Sequence, residues 1–280
     1  MHTHANRIHA KPLSASLGVE ILGLNPKHLS EEEKGAIKLL FDNHHFVLFR
    51  NADVTEEEHV SLVRAIGPIS TADEIMKDGR QFTYISNVHA DGRVPNGELF
   101  YHSDHMFLDE PLKGISLYSI EAPRVGGETR FLNSAKAYQA MPDDLKKRVE
   151  GLSARHVYDY DANRGDQRPD PATLSANTDM AVYPLVWRHP VSDVPLLYIS
   201  RLFTIEVLGL SREESEKLLD DLFAYLDTIG DDYTHKWASG DLIVWDNLHL
   251  QHARNDFPHT ERRALRRVPI ALEAAYQHSG

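Results

Sequence analysis

Tyr101-His102-Ser103-Asp104-His105 sets an imidazole and a carboxylate two residues apart. The preceding residues, Glu98-Leu99-Phe100-Tyr101, suit an extended segment, and side chains two apart on a strand share a face. His102 and Asp104 are therefore expected to project together. They supply two of the three ligands in the facial arrangement of two histidines and one carboxylate that suits non-heme Fe(II). In a chain with 17 histidines, a surface histidine beside an aspartate is the plain alternative. The metal reading needs a second histidine from elsewhere.

Towards the C-terminus, Asp241-Leu242-Ile243-Val244-Trp245-Asp246 reads as a strand. It runs into Asn247-Leu248-His249-Leu250-Gln251-His252, so His249 and His252 are both candidates for the third ligand. Eleven residues beyond His252 comes Arg263, and Arg267 follows four later. Arg263, Leu265 and Arg267 would lie on one face of a strand. Guanidinium groups bind carboxylates in two-pronged fashion. A metal, a carboxylate clamp and a second arginine would suit a chelating keto acid together with an anionic substrate. The plain alternative for the arginines is a solvated basic strand edge.

The chain has 280 residues, 41% of them apolar and 26% charged, which suits a globular protein with a substantial core. It has no cysteine, which excludes disulfides, thiolate metal sites, iron–sulfur clusters and a thiol nucleophile. A metal must then be held by His, Asp, Glu or carbonyl oxygen. The net charge of −12 disfavours nucleic acid and anionic membranes as partners. No apolar run is long enough to span a bilayer, and the N-terminus does not read as a secretory signal, so the cytoplasm is the expected location. A homo-oligomer is compatible with this composition.

Ser30-x-x-Glu33, Thr55-x-x-Glu58 and Ser211-x-x-Glu214 are capping boxes opening helices. Strands are expected at Phe46–Phe49, Phe82–Ile85, Gly114–Ile120, Thr129–Leu132, Arg155–Tyr158, Val182–Trp187, Leu196–Ile199 and Arg263–Leu272, with a short strand pair within Leu13–Leu24. Residues 134–150 read as short helices broken at Pro142. The long polar stretches near 70–97 and 159–180 read as lid-like loops. No linker divides residues 1–280, so one domain is expected. Many short strands with helices gathered early and late predict a mainly β fold with flanking helices, of the sandwich or jelly-roll kind.

Four ordered pieces now carry a family resemblance: Tyr101-His102-Ser103-Asp104 with Phe107; Gly126-Gly127-Glu128-Thr129; Trp245-Asp246-Asn247-x-x-x-Gln251-His252; and Arg262-Arg263-x-x-x-Arg267. From about residue 15 to about 272 the chain resembles the taurine dioxygenase and 2,4-dichlorophenoxyacetate dioxygenase-like family of Fe(II)/2-oxoglutarate-dependent oxygenases. The resemblance implies a double-stranded β-helix core. It implies His102, Asp104 and His252 as metal ligands, with His249 as a neighbour. It implies Thr129 and Arg263 as the anchors of the far carboxylate of 2-oxoglutarate, and Arg267 as the contact to the acidic group of the substrate. Fe(II), 2-oxoglutarate and O2 are the implied cofactor and cosubstrates. The implied reaction oxidises a C–H bond of a small carboxylate or sulfonate, with hydroxylation the expected outcome, and releases succinate and CO2. The rival readings are a metal-dependent hydrolase or isomerase on a cupin-like barrel, and a non-catalytic metal-binding module.

Overall fold

A computed structural model describes residues 8–71, 79–158 and 168–273. Parts of the two loops expected as lids, residues 72–78 and 159–167, lie outside the described residues. The first strands are β1 (His9–Pro12), β2 (Val19–Leu22), β3 (Phe46–Phe49), β4 (Thr83–Ser86), β5 (Leu99–His102), β6 (Leu112–Glu121) and β7 (Thr129–Asn133). Then come β8 (Ser153–Val157), β9 (Met180–Pro184), β10 (Val186–Arg188), β11 (Pro195–Leu197) and β12 (Thr204–Val207). The last are β13 (Tyr233–His235), β14 (Leu242–Asp246), β15 (Leu250–Arg254) and β16 (Ala264–Ala271). The helices are α1 (Glu31–His44), α2 (Glu56–Arg64), α3 (Ser134–Ala140), α4 (Asp143–Val149) and α5 (Arg212–Ile229).

All three capping boxes form. Ser30, Thr55 and Ser211 accept from the backbone N–H three residues on, and Glu33, Glu58 and Glu214 reach back to the cap backbone. Pro142 separates α3 from α4 because it cannot donate within a continuing helix. The strand expected over Val182–Trp187 is two strands, with Leu185 between them. Its N–H donates to the Leu152 carbonyl, and its carbonyl accepts from Tyr198.

Seven strands form one sheet in the order β1-β2-β3-β14-β6-β16-β4, and four form another in the order β13-β7-β15-β5. Period-2 alternation decides how they pack. In β14, Leu242 and Val244 face helices α1 and α2, while Ile243 and Trp245 face the other way. In β3, Val47 and Phe49 join the first set, and Phe46 and Leu48 the second. The second set meets Phe131 and Leu250 of the four-stranded sheet, so the two sheets pack face to face. Phe131 and Trp245 meet edge to face across the gap at 5.4 Å. Leu132 on the opposite face of β7 packs under α3, α4 and α5. Each buried large apolar side chain stabilises this packing by about 1.5–3 kcal/mol. The molecule is thus mainly β with helices on its outer faces, as expected.

Candidate active site

Strand pairing brings the two histidines together. β5 and β15 run antiparallel with His102 opposite His252, and the ring centroids stand 4.2 Å apart. The expectation that His102 and Asp104 share a strand face is corrected. β5 ends at His102, and Asp104 lies in the turn beyond it. A side-chain amide holds that turn. Asn247 Oδ1 accepts from the Asp104 N–H at 2.9 Å, and Asn247 Nδ2 donates to the Asp104 carbonyl at 2.9 Å. His105 then reverses the chain with a φ of 60°.

One ligand atom from each of His102, Asp104 and His252 lies within 4.8 Å of the other two. Asp104 Oδ1 stands 3.3 Å from His102 Nε2 and 3.6 Å from His252 Nε2. His102 Nδ1 donates to the Phe100 carbonyl at 2.8 Å, which fixes the ring so that Nε2 is the nitrogen that faces the carboxylate. Burial lowers the His252 pKa to about 3, and His102 adds to the effect. Burial alone would raise the Asp104 carboxyl, but Arg267 and the two imidazoles hold it well below the usual carboxylate range. A neutral imidazole and an ionised carboxylate are the states that metal ligation requires. The donor set therefore fits a divalent metal.

Arg267 donates to Asp104 Oδ2 from Nε at 3.0 Å and from Nη2 at 2.7 Å. It occupies the carboxylate oxygen that the histidines do not face. Arg263 stands immediately before β16, its carbonyl accepts from the Asn87 N–H, and it lines the same cavity as Arg267. Its backbone N–H donates to Asn87 Oδ1 at 2.9 Å. Its side chain is buried, at 2% exposure, and Nε and Nη1 have no hydrogen-bond partner among the described residues. Burial and nearby Arg254 push its pKa well below the ordinary value. A buried guanidinium left unpaired is costly, and an anion would relieve that cost.

Thr129 opens β7. Its Oγ1 accepts from Trp237 Nε1 at 3.0 Å, so its own proton remains to donate. Gly126 and Gly127 lead into it with φ of 74° and 71°. A Cβ on Gly126 would stand 2.4 Å from the Asp256 carbonyl oxygen, so only glycine lets these segments approach. His102, Asp104, Thr129, His252, Arg263 and Arg267 all line one cavity of about 350 Å³. Phe107, Tyr158 and Phe203 form its apolar wall, with ring centroids 4.7 and 5.0 Å apart around Phe107. Of the two lid-like loops, Arg93, Val94 and Asp179 reach the cavity. Arg254 fastens the first loop by donating to the Val94 carbonyl at 2.7 Å and the Gly97 carbonyl at 2.6 Å.

Sequence reasoning did not assign roles to Asn247, Trp237 or Arg254. Asn247 stood inside the quoted Trp245-Asp246-Asn247 motif, so a signal was present. Trp237 and Arg254 offered none, because their partners are distant in sequence. His249 lies in a different cluster from the three candidate ligands.

Together the fold and the site define a class: a mainly β protein with two histidines and a carboxylate converging beside a cationic, anion-accepting cavity. The model of the "Taurine catabolism dioxygenase TauD, TfdA family" matches residues 9–268. The chain belongs to this family, and it is a 2-oxoglutarate-dependent dioxygenase. It is 30% identical to the α-ketoglutarate-dependent 2,4-dichlorophenoxyacetate dioxygenase of Cupriavidus pinatubonensis, over 98% of this chain and 99% of that protein. It is 28% identical to the (S)-phenoxypropionate/α-ketoglutarate dioxygenase of Sphingobium herbicidovorans, over 94% of this chain and 95% of that protein. Among solved structures, a taurine dioxygenase from Burkholderia xenovorans superposes with a TM-score of 0.76 at 26% identity, covering 95% of this chain and 90% of that one.

Proposed function

We propose that this chain binds Fe(II) through His102, Asp104 and His252, and that it oxidises a C–H bond of a small organic carboxylate, sulfonate or sulfate ester. The observation that carries this reading is the buried Arg263 guanidinium, with two nitrogens unpartnered among the described residues and opening on the same cavity as the three candidate ligands. A hydrolytic or purely metal-binding role would leave that buried charge without a purpose.

When bound, iron and the keto acid activate O2 at the cost of decarboxylating 2-oxoglutarate to succinate and CO2. The chain's own groups hold and orient the reactants. Arg263 and the Thr129 hydroxyl take the far carboxylate of 2-oxoglutarate. Asp104, kept ionised by Arg267, supplies the anionic ligand. Arg267 also presents positive charge to the acidic group of the substrate from beside the metal face. Phe107, Tyr158 and Phe203 cover the apolar body of the substrate and exclude water from the reacting carbon. The relatives named for phenoxypropionate and 2,4-dichlorophenoxyacetate support an anion with an apolar body.

The same reading takes the facing seven- and four-stranded sheets as a double-stranded β-helix, or jelly-roll, core of one domain over 1–280. It takes the cytoplasm as the setting and small molecules, not nucleic acid or membrane, as partners. Among the described residues no helix is long and apolar enough to cross a membrane.

Anaerobic addition of Fe(II) and 2-oxoglutarate should give a weak visible charge-transfer band. Admission of O2 should then give succinate, released faster when the right acid, sulfonate or sulfate ester is present. A silent spectrum combined with tight zinc binding would overturn the proposal in favour of a hydrolase or a binding module.

A further inference from the structure

A second histidine–carboxylate cluster lies apart from the first, and the chemistry above does not use it. Asp246 ends β14, His249 lies in the turn before β15, and His45 caps the C-terminus of α1. One ligand atom from each lies within 4.8 Å of the other two. The His45 and His249 rings are stacked with centroids 3.7 Å apart, so half-buried His45 must turn out of the stack for both in-plane Nδ1 lone pairs to meet one ion, and the His189 ring stands 4.2 Å from that of His249.

The atoms facing one another are poorly satisfied. Asp246 Oδ1 accepts from the backbone N–H of Leu248 at 3.0 Å and of His249 at 2.9 Å. Asp246 Oδ2 is left towards the imidazoles, 3.4 Å from His249 Nδ1 and 3.3 Å from His189 Nε2. His249 is 2% exposed, yet its Nδ1 has no hydrogen-bond partner among the described residues, and nor has His45 Nδ1. His189 is set differently. Its Nδ1 accepts from the N–H groups of Val191 and Ser192, and its Nε2 stands 3.3 Å from Asp246 Oδ2 with no hydrogen bond among the described residues, so it borders the three candidate ligands.

Backbone hydrogen bonds fix the main chain beneath the cluster in advance. The Asp246 N–H donates to the His45 carbonyl at 2.9 Å, and the His45 N–H donates to the Phe41 carbonyl at 2.8 Å. His45 takes a φ of 59°, a conformation glycine would adopt at lower cost at a helix C-terminus.

We propose that His45, Asp246 and His249 bind a second divalent transition-metal ion of the zinc type. Two imidazole nitrogens and one carboxylate form a borderline ligand set of the kind zinc accepts, with water completing the shell. Half-buried His45 gives an entry path from solvent. The ion would tie the end of α1 to the turn between β14 and β15, which carries Asn247 and leads into His252.

The test uses Zn(II) alone and removes the first site conservatively, with His102→Gln and His252→Gln, which keeps the Asp104–Arg267 pair. That double variant should retain one zinc per chain after equilibrium dialysis. With Co(II) in place of zinc it should show visible d–d absorption. Adding His249→Gln or, separately, His45→Gln should weaken this binding at least tenfold. Two outcomes would overturn the proposal. One is no retained ion in the double variant. The other is zinc retention unchanged by both His249→Gln and His45→Gln. Far-ultraviolet dichroism on each variant separates lost binding from lost folding, and two independent substitutions keep the test sharp if either variant misfolds.

Discussion

Arg263 combines near-complete burial with unpaired donors, and its substitution should separate affinity from stability. Arg263→Met should raise the requirement for 2-oxoglutarate by roughly 10- to 150-fold, since a hydrogen bond to a charged group contributes about 1.5–3 kcal/mol. The same change should raise the melting temperature of the ligand-free protein, because it removes a buried charge whose Nε and Nη1 have no hydrogen-bond partner among the described residues. Saturation kinetics and melts with and without 2-oxoglutarate check both. An unchanged 2-oxoglutarate requirement would count against Arg263 as the anchor. Asp104 gives the complementary case. Asp104→Ala should abolish turnover and leave Arg267 buried without its carboxylate. The stability cost should lie near the lower end of the roughly 3–5 kcal/mol range for breaking a buried pair, because the Asp104 side chain is 21% exposed. Adding Arg267→Met should restore part of that stability but none of the metal binding. Denaturant melts and metal content measure the two effects independently.

At the level of elements, the turn after β5 decides whether three ligands converge. β5 brings only His102 to its place opposite His252, and Asp104 is delivered by main-chain bonds to Asn247. Asn247 also donates to the Leu112 carbonyl at 3.1 Å, so it ties the turn to the start of β6. Asn247→Ala should therefore weaken metal binding by about 10–100-fold without removing any ligand. Metal titration of the variant tests this, and Asn247→Asp should recover only the bond that accepts from the Asp104 N–H. The helices lie at the other extreme of legibility. Their starts were readable because a capping box is complete within four consecutive residues. The turn was not, because Asp104 and Asn247 are 143 residues apart in sequence.

Across the whole molecule, several buried histidines make stability depend on pH. Burial lowers the His156 pKa to about 3 and the His252 pKa to about 3, against ordinary values near 6.5. The unfolded chain takes up these protons as pH falls below about 6.5, while the folded protein does not. The contribution of these two histidines to stability is thus fully present above that pH and is lost progressively towards pH 3. Each such histidine contributes about 1.4 kcal/mol per pH unit within this window. Metal-free protein should show this slope in urea unfolding at stepped pH. His156→Gln should flatten it by one histidine's share, since among the described residues the His156 side chain hydrogen-bonds Thr204 Oγ1 alone and stands outside the candidate ligands. A slope unchanged in that variant would show that His156 is not held neutral.

By itself the amino-acid sequence determined the strand-rich character, the three capped helices and the ordered set of histidines, carboxylate and arginines. These follow from periodicity, from caps a few residues long and from motif order, all of which are local properties of the chain. Tertiary structure alone decided which arginine meets Asp104, which is buried with Nε and Nη1 unbonded among the described residues, and which stays outside. Arg262 pairs with exposed Glu121, Arg266 turns to His59 on the opposite face of β16, and Arg267 reaches Asp104. Four arginines within six residues are indistinguishable as sequence. Arg266 and Arg267 part because successive side chains along β16 face opposite ways, and what each arginine meets is set by chain segments more than a hundred residues away.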